Sequence, residues 1–209
     1  MQHIHFGSCG CAEEAKGGLD LYSLNEGILP ANIQCFNEAK PDSIRNVICC
    51  YEDRQQTTHV VESDCDGEIL VHIKFNNPVK VKSFIVASSN EDTSPKSMRV
   101  FVNHPTALDF GNLNDFTPTS KIILEWDPKA EKHCVISGNK YNSIDSLYLH
   151  INTPRSSDED EISINYIGIF GNSLAPKIGV VKANYEAVPA LKDHTVPYNK
   201  ANQSMGFGM

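Results

Sequence analysis

The chain has 209 residues, with 18 Lys and Arg against 26 Asp and Glu, a net charge of −8. This length suits one domain with tails and lets the fold bury roughly 70% of its unfolded surface, so neither a disulfide nor a metal is needed to hold a core. An acidic chain with only scattered Lys is a poor partner for nucleic acid or anionic membrane, and no run of about 18 apolar residues offers a transmembrane helix.

Residues 1–18 are rich in Gly, His, Cys and charge and carry no periodicity, which predicts a flexible arm. The arm lacks the basic and apolar regions of a secretion signal. It contains His3, His5, Cys9 and Cys11, four imidazole and thiol groups of the kind that zinc or copper prefers. Its Cys-x-Cys spacing is tighter than structural zinc sites use, so the plainer reading is an arm with incidental ligands and no cofactor. Leu21, Leu24, Ile28 and Leu29 follow at a weak helical spacing ended by Pro30, which predicts a short helix or turn strapped across a sheet. Cys35 to Glu38 reads as a short strand, and residues 38–58 as a polar loop with an apolar centre at Val47 and Ile48.

The stretch from His59 to Val86 carries the firmest pattern. Ile69, Val71, Ile73 and Phe75 alternate with Leu70, His72 and Lys74, the period of a half-buried strand. Val79, Val81 and Ile85 extend the pattern as a second strand. Asn76-Asn77-Pro78 between them predicts a turn, because Pro lacks the N–H and fixes φ. Further strands are expected at Ser97–Asn103, Lys121–Trp126, Ser146–Asn152 and Ile162–Gly171, with a last one at Val180–Tyr185. In Ile162–Gly171 the alternation puts Ile162, Ile164, Tyr166 and Phe170 on one face and Ile167 and Ile169 on the other. About eight short strands, long polar loops and almost no helical period predict an all-β, antiparallel two-sheet sandwich, a jelly roll before an immunoglobulin-like arrangement. The sandwich is expected over residues 19–186, with an extended tail over 187–209.

The chemistry-bearing motifs are sparse. Asp64-Cys65-Asp66-Gly67 begins like a calcium loop, but Gly67 is its fourth residue and Phe75 its twelfth, where an EF-hand needs Gly at six and Glu at twelve. The better reading is a turn whose Asp side chains bond local N–H groups. Cys49-Cys50 reads as two small hydrophobes. His72 and His150 stand opposite the apolar face of their strands, so both are expected on the solvent side or a second face. No nucleophile elbow or phosphate-binding Gly loop occurs, which predicts a non-catalytic protein. Asp158 to Glu161 reads as a solvated loop. The seven cysteines, Cys9, Cys11, Cys35, Cys49, Cys50, Cys65 and Cys134, are odd in number and irregular in spacing. They predict free thiols in a reducing compartment, hence a cytoplasmic and nuclear protein.

Several ordered blocks together resemble the PITH family, the proteasome-interacting thioredoxin domain. They are Cys35-Phe36-Asn37-Glu38, VESDCDGEILVHIKFNNPVKVKSFIV, RVFVNHPTALDF, KYNSIDSLYLHI and ISINYIGIFGN. The resemblance implies a jelly-roll sandwich of galactose-binding-like shape and association with the proteasome regulatory particle. One branch of that family carries an N-terminal thioredoxin domain. Too few residues precede position 19 for one, and no Cys-x-x-Cys is present, so thioredoxin activity is not carried over. The expectation is a monomeric, non-catalytic adaptor or regulator of the proteasome. The rival expectations are a carbohydrate- or small-ligand-binding module, and a metal- or redox-responsive protein using the His3–Cys11 arm.

Overall fold

The computed structural model describes residues 22–174. Strand β1 is Tyr22–Ser23, β2 Ile33–Phe36, β3 Val61–Glu62, β4 Glu68–Ala87, β5 Pro95–Val102, β6 Ser120–Ile123, β7 Cys134–Val135, β8 Ile144–Pro154, β9 Ser163–Ile164 and β10 Tyr166–Ser173. One short helix, α1, spans Ile44–Val47. Every strand pairing among the described residues is antiparallel. The all-β antiparallel sandwich expected from the alternation is the observed architecture.

Strand β4 is the axis. It was expected as two strands around an Asn-Asn-Pro turn, but it runs as a single 20-residue strand through Asn76, Asn77 and Pro78. Its first half pairs with β2 on one side and β8 on the other, and β8 continues to β5 and β6. Its second half pairs with β10 and with β7. At the bend the register against β8 jumps from Lys74↔Ser146 to Val79↔Ile144. The extra residues loop out there, so Pro78 needs no ladder donor. The bend turns one strand into a member of both layers.

Between the layers lies the main core. Ile69, Val71 and Ile73 of β4, Met98 and Val100 of β5, and Leu147, Leu149 and Ile151 of β8 pack against Ile167 and Ile169 of β10. Val79 and Val81 join them, but Ile85 does not. Phe170 pairs with Ser83 and Gly171 with Val81, so Lys82 is the extra residue of a bulge. The bulge switches which face points inward. Phe84 and Val86 enter the main core, and Ile85 turns to the opposite face with Tyr166, Phe170 and Ala130.

A second parity switch occurs at Asn165. It separates β9 from β10, so Ile162 and Ile164 share the core with Ile167 and Ile169 rather than facing away from them. The buried Asn165 carboxamide donates to the His59 carbonyl at 2.8 Å and accepts from the Ser89 N–H at 2.7 Å.

The segment before β2 forms two single 3₁₀ turns, Asn25–Gly27 and Pro30–Asn32, rather than a helix. Asn25 straps it to the sheet, donating to the Ile167 carbonyl at 2.7 Å and the Cys49 carbonyl at 2.9 Å and accepting from the Ile169 N–H at 3.0 Å. The strand expected to reach Trp126 ends at Ile123, and the Trp126 ring N–H donates to the Ser88 carbonyl at 3.0 Å.

Candidate functional site

The outer face of the β4–β8–β5 sheet is the most chemically loaded surface of the described residues. Alternation places Glu68, Leu70 and His72 of β4, Tyr148, His150 and Asn152 of β8, and Ser97, Arg99 and Phe101 of β5 there in register. Residues 103–119 cross this face as a strap, seating Leu108 and Leu113 on Leu70, Phe101 and Tyr148. His150 was expected on the solvent side or a second face. It lies on the second face and is 0% exposed.

Burial forces partners on the His150 ring. The Arg99 Nε–H donates to His150 Nδ1 at 2.9 Å, and His150 Nε2 meets a Glu68 carboxylate oxygen at 2.6 Å. Arginine can only donate, so Nδ1 is unprotonated and the ring's single proton sits on Nε2, given to Glu68. Burial holds the ring below the ordinary histidine pKa; the Arg99 charge adds to that, and Glu68 opposes it. Arg99 Nη1 reaches on to the Asn114 carboxamide oxygen of the strap at 3.0 Å, and Phe110 of the strap meets the His150 ring edge to face. Beside this network His72 stacks flat on Tyr148 at 4.0 Å between centroids. The network occupies both nitrogens of the His150 ring and ties three strands to the strap.

The Asp64–Gly67 turn is stitched from outside. The expectation was that its Asp side chains would bond local N–H groups. Instead Asn37, at the end of β2 with φ of 67°, accepts from the Cys65 N–H at 3.3 Å. Its carboxamide also donates to the Glu68 carbonyl at 2.7 Å and the Asp66 carbonyl at 3.2 Å. Asn is among the residues that tolerate that left-handed backbone. The Asp64 carboxylate accepts from the neighbouring Cys65 thiol, at 3.3 Å. Next to Asn37, Glu38 accepts from the Asp42 and Ile44 N–H groups and the Ser43 hydroxyl, which fixes the start of α1.

On the far side, Ser83 Oγ pairs with His133 Nδ1 at 3.0 Å; burial holds that ring below the ordinary histidine pKa, and the nearby Asp127 charge opposes the shift without reversing it. The trio is not a hydrolytic triad. Ser83 is 0% exposed, and the Asp127 carboxylate is spent on the Lys129, Glu131 and Lys132 N–H groups. Cys49 and Cys50 are free thiols, and burial pushes the Cys50 thiol up to about 11. No group of three or more His, Cys, Asp or Glu able to hold a metal occurs among the described residues. His3, His5, Cys9 and Cys11, the predicted metal candidates, lie outside those residues, as do the expected strand at 180–185 and both tails.

A sequence model of the PITH domain matches residues 14–189. The chain belongs to the PITH domain family. A PITH domain-containing protein 1 of Dictyostelium discoideum is 31% identical over 173 residues, covering 83% of this chain and 84% of that one. A PITH domain-containing protein of Drosophila pseudoobscura is 32% identical over 202 residues, covering 93% and 94%. The human PITH domain-containing protein 1 is 29% identical over 204 residues, covering 94% and 95%. Among solved structures, the chain is similar to a family 32 carbohydrate-binding module of Clostridium perfringens NanJ in complex with galactose. That likeness has a TM-score of 0.48 and 6% identity, covering 72% of this chain and 98% of the module. An F5/8 type C domain of Bacteroides fragilis gives a TM-score of 0.47 at 11% identity, covering 68% and 91%.

The blocks that carry the PITH resemblance hold the stitches of the fold. Asn37 and Glu38, the Glu68–His150–Arg99 network, Asn103 and Asn165 all fall within them. Asn103, with φ of 49°, accepts from the Asp145 and Ser146 N–H groups and donates to the Ser143 carbonyl. At the β4 bend of the PITH sandwich, Leu24, Phe75, Val79, Asn76, Asn77 and Ser173 are among the residues lining a cleft of about 210 Å³. That volume is below the roughly 300–1,000 Å³ of sites that enclose a drug-sized ligand. Sequence reasoning missed the His150 network because a strand pattern gives the face of a residue but not what covers that face.

Proposed function

We propose that this PITH domain is a non-catalytic adaptor or regulator that binds the proteasome regulatory particle. Family membership over residues 14–189 carries the reading. The engagement of the most chemically capable described side chains supports it: Ser83, Asp127, His150 and Glu68 are committed to hold loops and strands in place. A rigid sandwich of this kind contributes surface and position rather than bond-making. The terminal segments supply the reaching contact, with Phe207 and Met209 or the His3–Cys11 arm as anchors.

Affinity capture from cell lysate at low salt, with both terminal segments intact, tests the adaptor role. Regulatory-particle subunits are the expected recovery, weakening as salt screens the charge of the acidic chain. Recovery of no proteasome subunit sinks the reading. Deleting residues 1–18 and 195–209 separately locates the anchor, and unchanged affinity in both variants refutes the reaching role.

A further inference from the structure

We infer that His150 is the hub of an acid-sensitive latch that holds the 103–119 strap on the outer face of the sheet. The chain of contact runs Glu68, His150, Arg99, Asn114, and each link is direct: 2.6, 2.9 and 3.0 Å. Only the strap end of that chain lies outside the sheet. His150 is fully buried beneath Phe110 of the same strap.

Protonation breaks the middle link by geometry. A second proton taken from solvent can only go to Nδ1, which now accepts the Arg99 Nε–H. Two N–H donors and two positive charges would then face each other at hydrogen-bond distance. Glu68 neutralises one charge, but it holds the Nε2 proton across the ring from Arg99, which bonds at Nδ1. Arg99 must turn away, and the bond to Asn114 goes with it. Other charged groups around this face do not replace the lost acceptor. His72 stacks on Tyr148 further along β4 and β8, and Lys121 stands opposite Arg99 on β6 with its own positive charge. On the strap, His104 packs on Phe101 and Phe116. Asp109 is exposed and bonded back into its own turn with Asn112, and Asp115 is exposed beside Asn114. With the latch released, the strap keeps only its apolar anchors, Leu108 and Leu113, and the ring and aliphatic surface of Leu70, Phe101 and Tyr148 becomes uncoverable in part.

The test is hydrogen exchange of the full chain from pH 7.5 to pH 4.5, expressed as protection relative to the intrinsic exchange rate. It is read together with binding of an apolar dye and far-ultraviolet circular dichroism. The expected result is that protection of residues 104–118 falls while β4 and β8 stay protected and the dye signal rises. Between the ring's lower pKa in the closed state and its higher one in the open state, one proton taken up on opening gives about a tenfold change per pH unit. His150→Gln should flatten that dependence, and His104→Gln and His72→Gln should not. Equal loosening in His150→Gln overturns the latch, as does flat strap protection in the wild type until the whole fold unfolds. If His150→Gln does not fold, ring nitrogen chemical shifts of the wild type decide. Protonation of Nδ1 in step with strap loosening supports the latch, and a ring that stays neutral through the loosening overturns it.

Discussion

Gly171 passes so close to Lys80 that any Cβ at position 171 would overlap the Lys80 carbonyl group. The obstacle is backbone, so no rotamer relieves it. The contact lies at the bulge where Lys82 is the extra residue against β10 and beyond which Phe84 enters the core. Gly171→Ala should therefore destabilise the fold by about 2–4 kcal/mol, at the high end of single substitutions. Urea unfolding measures it; a midpoint within error of the wild type would contradict the close approach.

Asn37 combines two roles that two variants separate. Asn37→Gly keeps the left-handed backbone and loses the carboxamide bonds to Cys65, Asp66 and Glu68. Asn37→Ala loses both. At about 1 kcal/mol for each bond made partly in solvent, and about 1 kcal/mol for a β-carbon in this conformation, Ala should cost more than Gly. Thermal unfolding of the two variants gives the order, and a more stable Ala variant would reverse the assignment.

Acid should weaken the fold before the carboxylates titrate. His72, His133 and His150 are all held below the ordinary histidine pKa, in each case first by burial. The folded chain thus resists a proton that the unfolded chain accepts at a pH near 6.5. Stability is complete above that value and declines as pH falls through it toward the lower folded-state values. Denaturation midpoints at pH 7.5 and pH 5.5 should differ, with the lower midpoint at pH 5.5. A rise on acidification would mean the rings gain rather than lose proton affinity on folding.

Thiol reactivity should split by position. Burial raises the Cys35, Cys49 and Cys134 thiols and takes Cys50 up to about 11, so few of them are thiolate near neutral pH. Cys65 is exposed, and its thiol is raised chiefly by its bond to Asp64 rather than by burial. Among these five, Cys65 should be alkylated first, and Asp64→Asn should speed it further. Time-resolved labelling followed by peptide mass spectrometry reads the order. Labelling of Cys35 ahead of Cys65 would contradict the burial.

Strand positions were legible because alternation is a local property. Ile69 to Ile73 and Leu147 to Ile151 point inward as the sequence pattern predicts. The inward face is lost after Val81 and again at Asn165, since a bulge is decided by the partner strand and not by the residue that bulges out. Ile85 therefore went to the wrong face in the sequence reading, and Ile162 and Ile164 were grouped with Tyr166 and Phe170 rather than with Ile167 and Ile169. The Asn76-Asn77-Pro78 turn failed for a related reason. Pro excludes a ladder donor, but a bend with looped-out residues does not require one. His150 is the clearest limit: its face was readable, but the strap that buries it and the Arg99 and Glu68 partners come from distant segments.

A strand shared by both layers sets the order in which the protein can be made. The first half of β4 needs residues 144–154, and its second half needs 166–173. Little of the ladder can close while the ribosome still holds the last third of the described chain. Contacts of such high sequence separation are associated with folding in milliseconds to seconds rather than microseconds. A nascent chain stalled before residue 144 has β2 and β7 but neither β8 nor β10 to pair with β4, which leaves much of its apolar run uncovered at the stage where unpaired edges invite aggregation.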